Sequence, residues 1–265
     1  MRQLAIIGGG FMGAALAQGL VDAGWRRESL VIAEVREARR FFLQEELKVP
    51  CVRNAREAAA EAPTVVFAVK PQDFHAAMAN VAPVFTREKL AISIAAGVKI
   101  AALEAALDCA VIRCMPNTPA AIGAGATALA RGKHANDSHL MTAFNILSAV
   151  GKTIIVDESQ MDAVTAISGT GPAYLFYLAE ALIDAAMAEG LSREQAYALT
   201  YQTFVGAAQL LQHDPAGPEE LRKRVTSPNG TTHAAITHLQ ANNWAGIFRD
   251  AVRKARLRSE ELGRQ

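Results

Sequence analysis

The sequence predicts an α/β protein: a doubly wound, parallel-sheet domain at residues 1–157, then an all-helical domain at residues 158–265. Through about residue 156, short β-branched apolar runs alternate with alanine-rich helical segments, as in a sheet covered on both faces. A glycine cluster follows the first of these runs directly. Beyond Asp157 the strand signals stop and helical periodicity continues alone.

Strands are predicted at 4–7, 30–33, 65–69, 90–94, 111–114, 126–130 and 153–156. Helices between them are predicted near 11–23, 37–47, 54–61, 73–80, 100–107 and 136–149, which is the alternation of a doubly wound domain. The second domain reads as helices at 162–189, 193–212, 219–224, 231–240 and 244–262. Residues 174–183, Tyr-Leu-Phe-Tyr-Leu-Ala-Glu-Ala-Leu-Ile, are apolar nearly all round. A helix of that kind belongs inside an interface or a large core. A homo-oligomer formed through the C-terminal helices is therefore expected.

Composition narrows the partners. Lysine plus arginine (27) nearly balances aspartate plus glutamate (26), so no long-range field recruits nucleic acid or an anionic membrane, and a small-molecule partner is expected. Cys51, Cys109 and Cys114 lack metal-type spacing and fit burial in a reducing compartment. The N-terminal run meets glycines before reaching signal-peptide length, and no apolar stretch reaches the roughly 18 residues of a membrane span. A cytoplasmic protein is expected.

Gly8, Gly10 and Gly13 give the spacing G-x-G-x-x-G after a strand and, with Phe11 and Met12, at a helix start. This is a dinucleotide fingerprint: Gly8 allows the turn, Gly10 lets backbone approach a pyrophosphate, and Gly13 lets helix pack on strand. The domain is thus Rossmann-like, and NAD or NADP is the expected cofactor. At the end of the second strand, Glu34 and Arg36 argue in opposite directions. A carboxylate suits the ribose hydroxyls of NAD, whereas an arginine suits the 2′-phosphate of NADP. The cost of a carboxylate beside a phosphate tips the expectation toward tolerance of NAD, unless Glu34 turns away. Val69, Lys70 and Pro71 follow one strand and Asn117 another, at the strand ends where open α/β sheets bind ligands. Asn54 is read either as a helix N-cap or as an adenosine-ribose contact.

The segment 225–232, Val-Thr-Ser-Pro-Asn-Gly-Thr-Thr, inserts a polar turn between two helical stretches. It reads either as a Ser/Thr-capped turn or as an anion site made by N–H groups at a helix start. In the segment 168–174, Ser-Gly-Thr-Gly-Pro-Ala-Tyr, two glycines and a proline break an apolar helical run, so a kink is expected. It serves either close backbone approach to a ligand or tight helix packing.

Together, the glycine fingerprint, Val-Lys-Pro-Gln at 69–72, Arg-Cys-Met-Pro-Asn-Thr-Pro at 113–119 and the segments 168–174 and 225–232 resemble pyrroline-5-carboxylate reductase over nearly the whole chain. The resemblance implies hydride transfer from NAD(P)H to the cyclic imine of 1-pyrroline-5-carboxylate, the final step of proline synthesis. It also implies a dimer of interleaved C-terminal domains and assembly into rings of dimers. Ser227, Asn229, Gly230, Thr231 and Thr232 then bind the substrate carboxylate. Thr232 takes the catalytic position nearest the imine nitrogen, as an orienter or proton relay. Two departures stand out: Asn229-Gly230 replaces the Gly-Gly of many members, and Glu34 stands where many have a small or amide residue. Asparagine tolerates left-handed backbone, which preserves the turn. The alternatives are a β-hydroxyacid-dehydrogenase-like enzyme and a non-catalytic dinucleotide-binding regulator. Residues 168–189 contain no lysine for the first, and the intact polar loop argues against the second.

Overall fold

Four consecutive buried residues, Leu4–Ile7, form the first strand (β1) of the computed structural model, which describes residues 2–264. The pleat sends Leu4 and Ile6 to one apolar layer and Ala5 and Ile7 to the other. Burial on both faces explains why β1 and β2 (Leu30–Ala33) are unbroken apolar runs and why β4 (Thr64–Phe67) and β5 (Leu90–Ser93) carry a single polar residue each, at one end. The other strands are β3 (Cys51–Val52), β6 (Ala110–Met115), β7 (Gly125–Arg131) and β8 (Gly151–Ile155).

The sheet order is β3-β2-β1-β4-β5-β6-β7-β8, which places the topological switch point between β1 and β4. One layer is packed by α1 (Phe11–Asp22), α2 (Glu37–Leu47) and α6 (Asp137–Ser148), through Leu16, Leu20, Leu43, Leu140 and Ile146. The other is packed by α3 (Ala55–Glu61), α4 (Pro71–Val81) and α5 (Ile100–Ala106), through Ala58, Phe74, Met78 and Leu103.

Two expectations about the sheet need correction. The two-residue β3 has no periodicity of its own and escapes a sequence reading; it is specified by parallel pairing of Ile32 with Cys51 and Ala33 with Val52. The sheet is also not wholly parallel, because β7 runs antiparallel to β6. A parallel crossover needs about a dozen residues or more, and the segment 116–124 is too short to supply one. Parallel pairing resumes at β8, after α6 has made the return.

The unit containing the sheet extends to Pro172 and regains the chain from Ala255 onward. It takes in α7 (Met161–Val164), whose Met161 is fully buried in the second apolar layer. Ser259 Oγ, on α12 (Trp244–Leu262), donates to Asp162 Oδ1 at 2.6 Å. The predicted helix at 162–189 is interrupted: Thr165–Gly169 forms a π-helical turn, and α8 (Gly171–Ala188) begins afresh with Pro172 in its first turn. The Thr170 N–H donates to Thr165 O at 2.8 Å and its hydroxyl does so at 2.9 Å, closing the wide turn.

The second unit, Ala173–Lys254, holds most of α8, α9 (Arg193–His213), α10 (Gly217–Arg224), α11 (Thr231–Ala241) and the first part of α12. Its large apolar side chains are open to solvent, among them Phe176, Tyr177, Leu199, Leu210 and Ile247. A lone soluble unit rarely exposes so much contiguous apolar surface. Among the described residues, no helix is long and apolar enough to cross a membrane.

Leu20 is fully buried in the first layer. Leu20→Ala should lower stability by about 2–5 kcal/mol, read from denaturant unfolding at fixed protein concentration. An unchanged midpoint would contradict this packing.

Candidate active site

The turn from β1 to α1 is built by contact too close for side chains. Gly8 has φ +107°, and a Cβ there would lie 2.7 Å from the Ala68 carbonyl oxygen. A Cβ on Gly13 would overlap the Gly8 carbonyl oxygen, so α1 abuts the end of β1 as the fingerprint requires. A Cβ on Gly10 would meet nothing within 4 Å, so its Cα faces open space. Gly10 caps α1 with no side-chain hydrogen bond. Among the described residues, nothing accepts from the N–H groups of Phe11, Met12 and Gly13. An uncapped helix start beside an open backbone suits a pyrophosphate.

Arginines on α2 hold this turn from behind. Arg39 Nε donates to Gly9 O at 2.8 Å, its guanidinium lying 4.8 Å from the Phe42 ring centroid. Arg40 Nη1 donates to the carbonyls of Glu34 and Val35, both at 2.8 Å.

A cavity of about 810 Å³ opens at the carboxyl ends of β1, β2 and β4. Gly8, Gly10, Glu34, Arg36, Asn54, Val69 and Lys70 line it, and all were predicted cofactor residues. Arg53, Gln72, Asp73 and Asn80 line it as well. Glu34 is 6% exposed, and its Oε1 accepts from the Arg36 N–H and from Arg36 Nε, each at 3.0 Å. Burial alone would raise the Glu34 pKa, but the bonds and charge of Arg36 outweigh it and hold the carboxyl below its ordinary value. Asn54 caps α3 by accepting from the Arg56 N–H at 3.0 Å, and it also lines the cavity.

The loop before α11 belongs to the second unit. Asn229 adopts φ 59°, the left-handed conformation expected of an asparagine in that place. The Gly230 N–H donates to Ser227 O at 3.0 Å, closing the turn. A Cβ on Gly230 would collide with Ser227 Oγ, so glycine lets that hydroxyl lie against the helix start. The residue in the N-cap position is Gly230, without a side-chain cap. Neither Ser227 nor a threonine caps α11, and among the described residues nothing accepts from the N–H groups of Thr231, Thr232 and His233. The hydroxyls of Thr231 and Thr232 make no hydrogen bond among the described residues; that of Thr226 is engaged with Arg222 O at 2.6 Å.

Comparison with known proteins gives the family. Residues 158–262 match the model for pyrroline-5-carboxylate reductase dimerisation, and residues 3–97 match that for NADP oxidoreductase, coenzyme F420-dependent. A pyrroline-5-carboxylate reductase of Pseudomonas aeruginosa is 43% identical over 99% of this chain and 97% of its own length. The chain belongs to the pyrroline-5-carboxylate reductase family. A family structure from Coxiella burnetii superposes with a TM-score of 0.93 at 34% identity, covering 98% of each chain. A Plasmodium falciparum pyrroline carboxylate reductase with NADP bound gives 0.88 at 30% identity, covering 99% of this chain and 98% of its own.

Of the predicted contact residues, Gly13, Pro71 and Asn117 also have a place in the frame. Phe11, Met12, Gly13, Pro71 and Asn117 lie outside the cavity lining. Gly13 gives α1 its closeness, and Pro71 opens α4 two residues earlier than predicted, with Lys70 as N-cap. Asn117 Nδ2 donates to Ser168 O at 3.0 Å while its Oδ1 accepts from the Ala126 N–H at 2.8 Å, tying the π turn to β7. Gly169 lies against Met115, whose flexible Cε is 2.6 Å from where a Cβ would be. Arg113, 5% exposed, is neutralised by Glu158 at 3.0 Å, and the same Glu158 oxygen accepts from the Ile100 N–H at 2.7 Å. The cysteines are free, and burial pushes the thiol of Cys51 up to about 11 and that of Cys109 up to about 12, which suits packing and not redox work. Arg53 was missed because a single arginine before a helix carries no distinguishing pattern.

The glycines separate packing from binding. Gly10→Ala should fold normally but weaken dinucleotide binding about ten-fold or more, since the new methyl enters the space the pyrophosphate needs. Gly13→Ala should lose stability as well. Fluorescence titration and thermal melts check both, and equal melting losses in the two variants would contradict the assignment.

Proposed function

We propose that this chain reduces 1-pyrroline-5-carboxylate to L-proline with hydride from NAD(P)H, the final step of proline biosynthesis. The observation that carries this reading is the uncapped start of α11 in a chain of this family: Gly230, Ser227 Oγ and the open N–H groups of Thr231 and Thr232 form a seat for one small carboxylate. Asn229 shapes that seat through its left-handed backbone.

The dinucleotide, when bound, supplies the hydride that adds to the imine carbon. The chain supplies position. The cradle at Gly8 and Gly10 takes the pyrophosphate, Lys70 adds a cation beside it, and Asn54 reaches the adenosine ribose. Val69 lines the wall, Phe11 and Met12 offer their open N–H groups to the pyrophosphate, and Gly13, Pro71 and Asn117 hold the loops that make the site. With the carboxylate fixed at the start of α11, the Thr232 hydroxyl orients the imine nitrogen. It acts as hydrogen-bond partner and proton relay, since an unactivated threonine is a poor acid on its own.

The exposed apolar surface of α8, α9 and α12 supports a homodimer through residues 158–265, while assembly as a ring of dimers and a place in the cytoplasm are inferred from the family alone.

Oxidation of NADH and NADPH by the purified protein with pyrroline-5-carboxylate tests the reaction. Turnover is expected, and Thr232→Ala should lower kcat/KM by about ten- to hundred-fold, the loss of one hydrogen bond to a charged group. Absence of turnover with either cofactor would contradict the reading. Sedimentation should show a dimer or larger at micromolar concentration, with Phe176→Asp shifting it toward the monomer. A wild-type monomer would contradict the interface.

A further inference from the structure

We propose that Glu34 makes this chain prefer NADH over NADPH, because Arg36 is held as the partner of that carboxylate and is not free to receive a phosphate. The inference rests on the cavity being the dinucleotide site and adds which dinucleotide it favours.

Glu34 stands at the end of β2, in the cavity wall. It cannot turn away. Its Oε1 is fixed by two Arg36 donors, and Arg36 Nη2 lies 3.4 Å from Oε2. Arg40 grips the carbonyls of Glu34 and Val35, and a Cβ on Gly9 would lie 3.1 Å from the Glu34 Cβ, so there is no slack behind the side chain. An immobile carboxylate with acceptor capacity left on Oε2 suits the hydroxyls of an adenosine ribose. A 2′-phosphate in the same place sets two like charges together in a confined wall, where solvent screens them poorly.

Arg36 relieves this only at a cost. Its side chain is 67% exposed and able to swing toward a phosphate, but doing so strips a buried carboxylate of its counter-charge. Two further cations line the same cavity, Lys70 and Arg53, both exposed and neither in an ion pair or side-chain hydrogen bond among the described residues; Lys70 follows β4 and is assigned to the pyrophosphate, whereas Arg53 follows β3, the strand paired with the β2 that leads to Glu34. NADPH is therefore accepted through Arg53, against the opposition of Glu34.

The test is kcat/KM for NADH and NADPH with pyrroline-5-carboxylate, measured in wild type, Glu34→Gln and Arg53→Met, with binding of both dinucleotides followed by fluorescence. The wild-type NADH to NADPH ratio should exceed about ten, and Glu34→Gln should lower it by about ten-fold or more, chiefly by improving NADPH. Arg53→Met should depress NADPH about ten-fold and NADH less than about three-fold. A wild-type ratio of one or below overturns the proposal, as does a ratio that Glu34→Gln leaves unchanged. If Glu34→Gln fails to fold, the wild-type ratio and Arg53→Met still decide the question. Failure of both dinucleotides to bind overturns the reading of the cavity itself, whereas binding of both with no preference overturns this inference alone.

Discussion

The first turn of an α-helix leaves N–H groups with no internal acceptor, and the chemistry assigned to this chain depends on two such ends being left open. α1 begins after Gly10 and α11 after Gly230, both without side-chain caps. Asn54 before α3, Asn136 before α6 and Ser192 before α9 supply side-chain caps, whereas α2, α4, α5, α7 and α10 go without, so what marks α1 and α11 is a glycine in the N-cap position itself. The glycines at the two open ends keep side chains out of the space an anion would fill. One end suits the pyrophosphate of a dinucleotide, the other a small carboxylate.

An open helix end is useful only if it is held still. Behind α1, Arg39 and Arg40 spend their donors on the carbonyls of Gly9, Glu34 and Val35, and Gly8 and Gly13 let the backbone close to contact distance. Asn117 and the Arg113–Glu158 pair do similar work around the π turn and the start of α5. These polar side chains use their capacity inside the protein. Removing one member of such a pair leaves the other buried and unsatisfied, so their loss would loosen the turns they hold.

Much of the fold was legible because local and long-range signals agreed. A strand buried on both faces must be an apolar run, and each helix that covers it must carry an apolar stripe; β1, β2, α1 and α2 obey both demands. What was illegible depends on partners distant in sequence. The direction of β7 follows from the length of a connection, β3 exists only through its pairing with β2, and the π turn at Thr165–Gly169 differs from an α-helix by one residue of hydrogen bonding. The candidate site divides the same way. Gly8, Gly13 and Asn229 were readable because a left-handed backbone or close backbone approach restricts which residues can stand there, and Gly10 was readable from its place in the fingerprint. The tie of Asn117 to Ser168 has no signature in the sequence, and Arg53 acquires meaning only from the cavity it lines.

The central claim is that both open helix ends hold anions of one reaction. The most direct measurement is a crystal structure of the protein with a nicotinamide dinucleotide and L-proline. The pyrophosphate is expected against Gly10 and the N–H groups that open α1, and the proline carboxylate on the N–H groups of Thr231 and Thr232 with Ser227 Oγ as a further donor. A carboxylate bound elsewhere, with the start of α11 left to solvent, would contradict the claim.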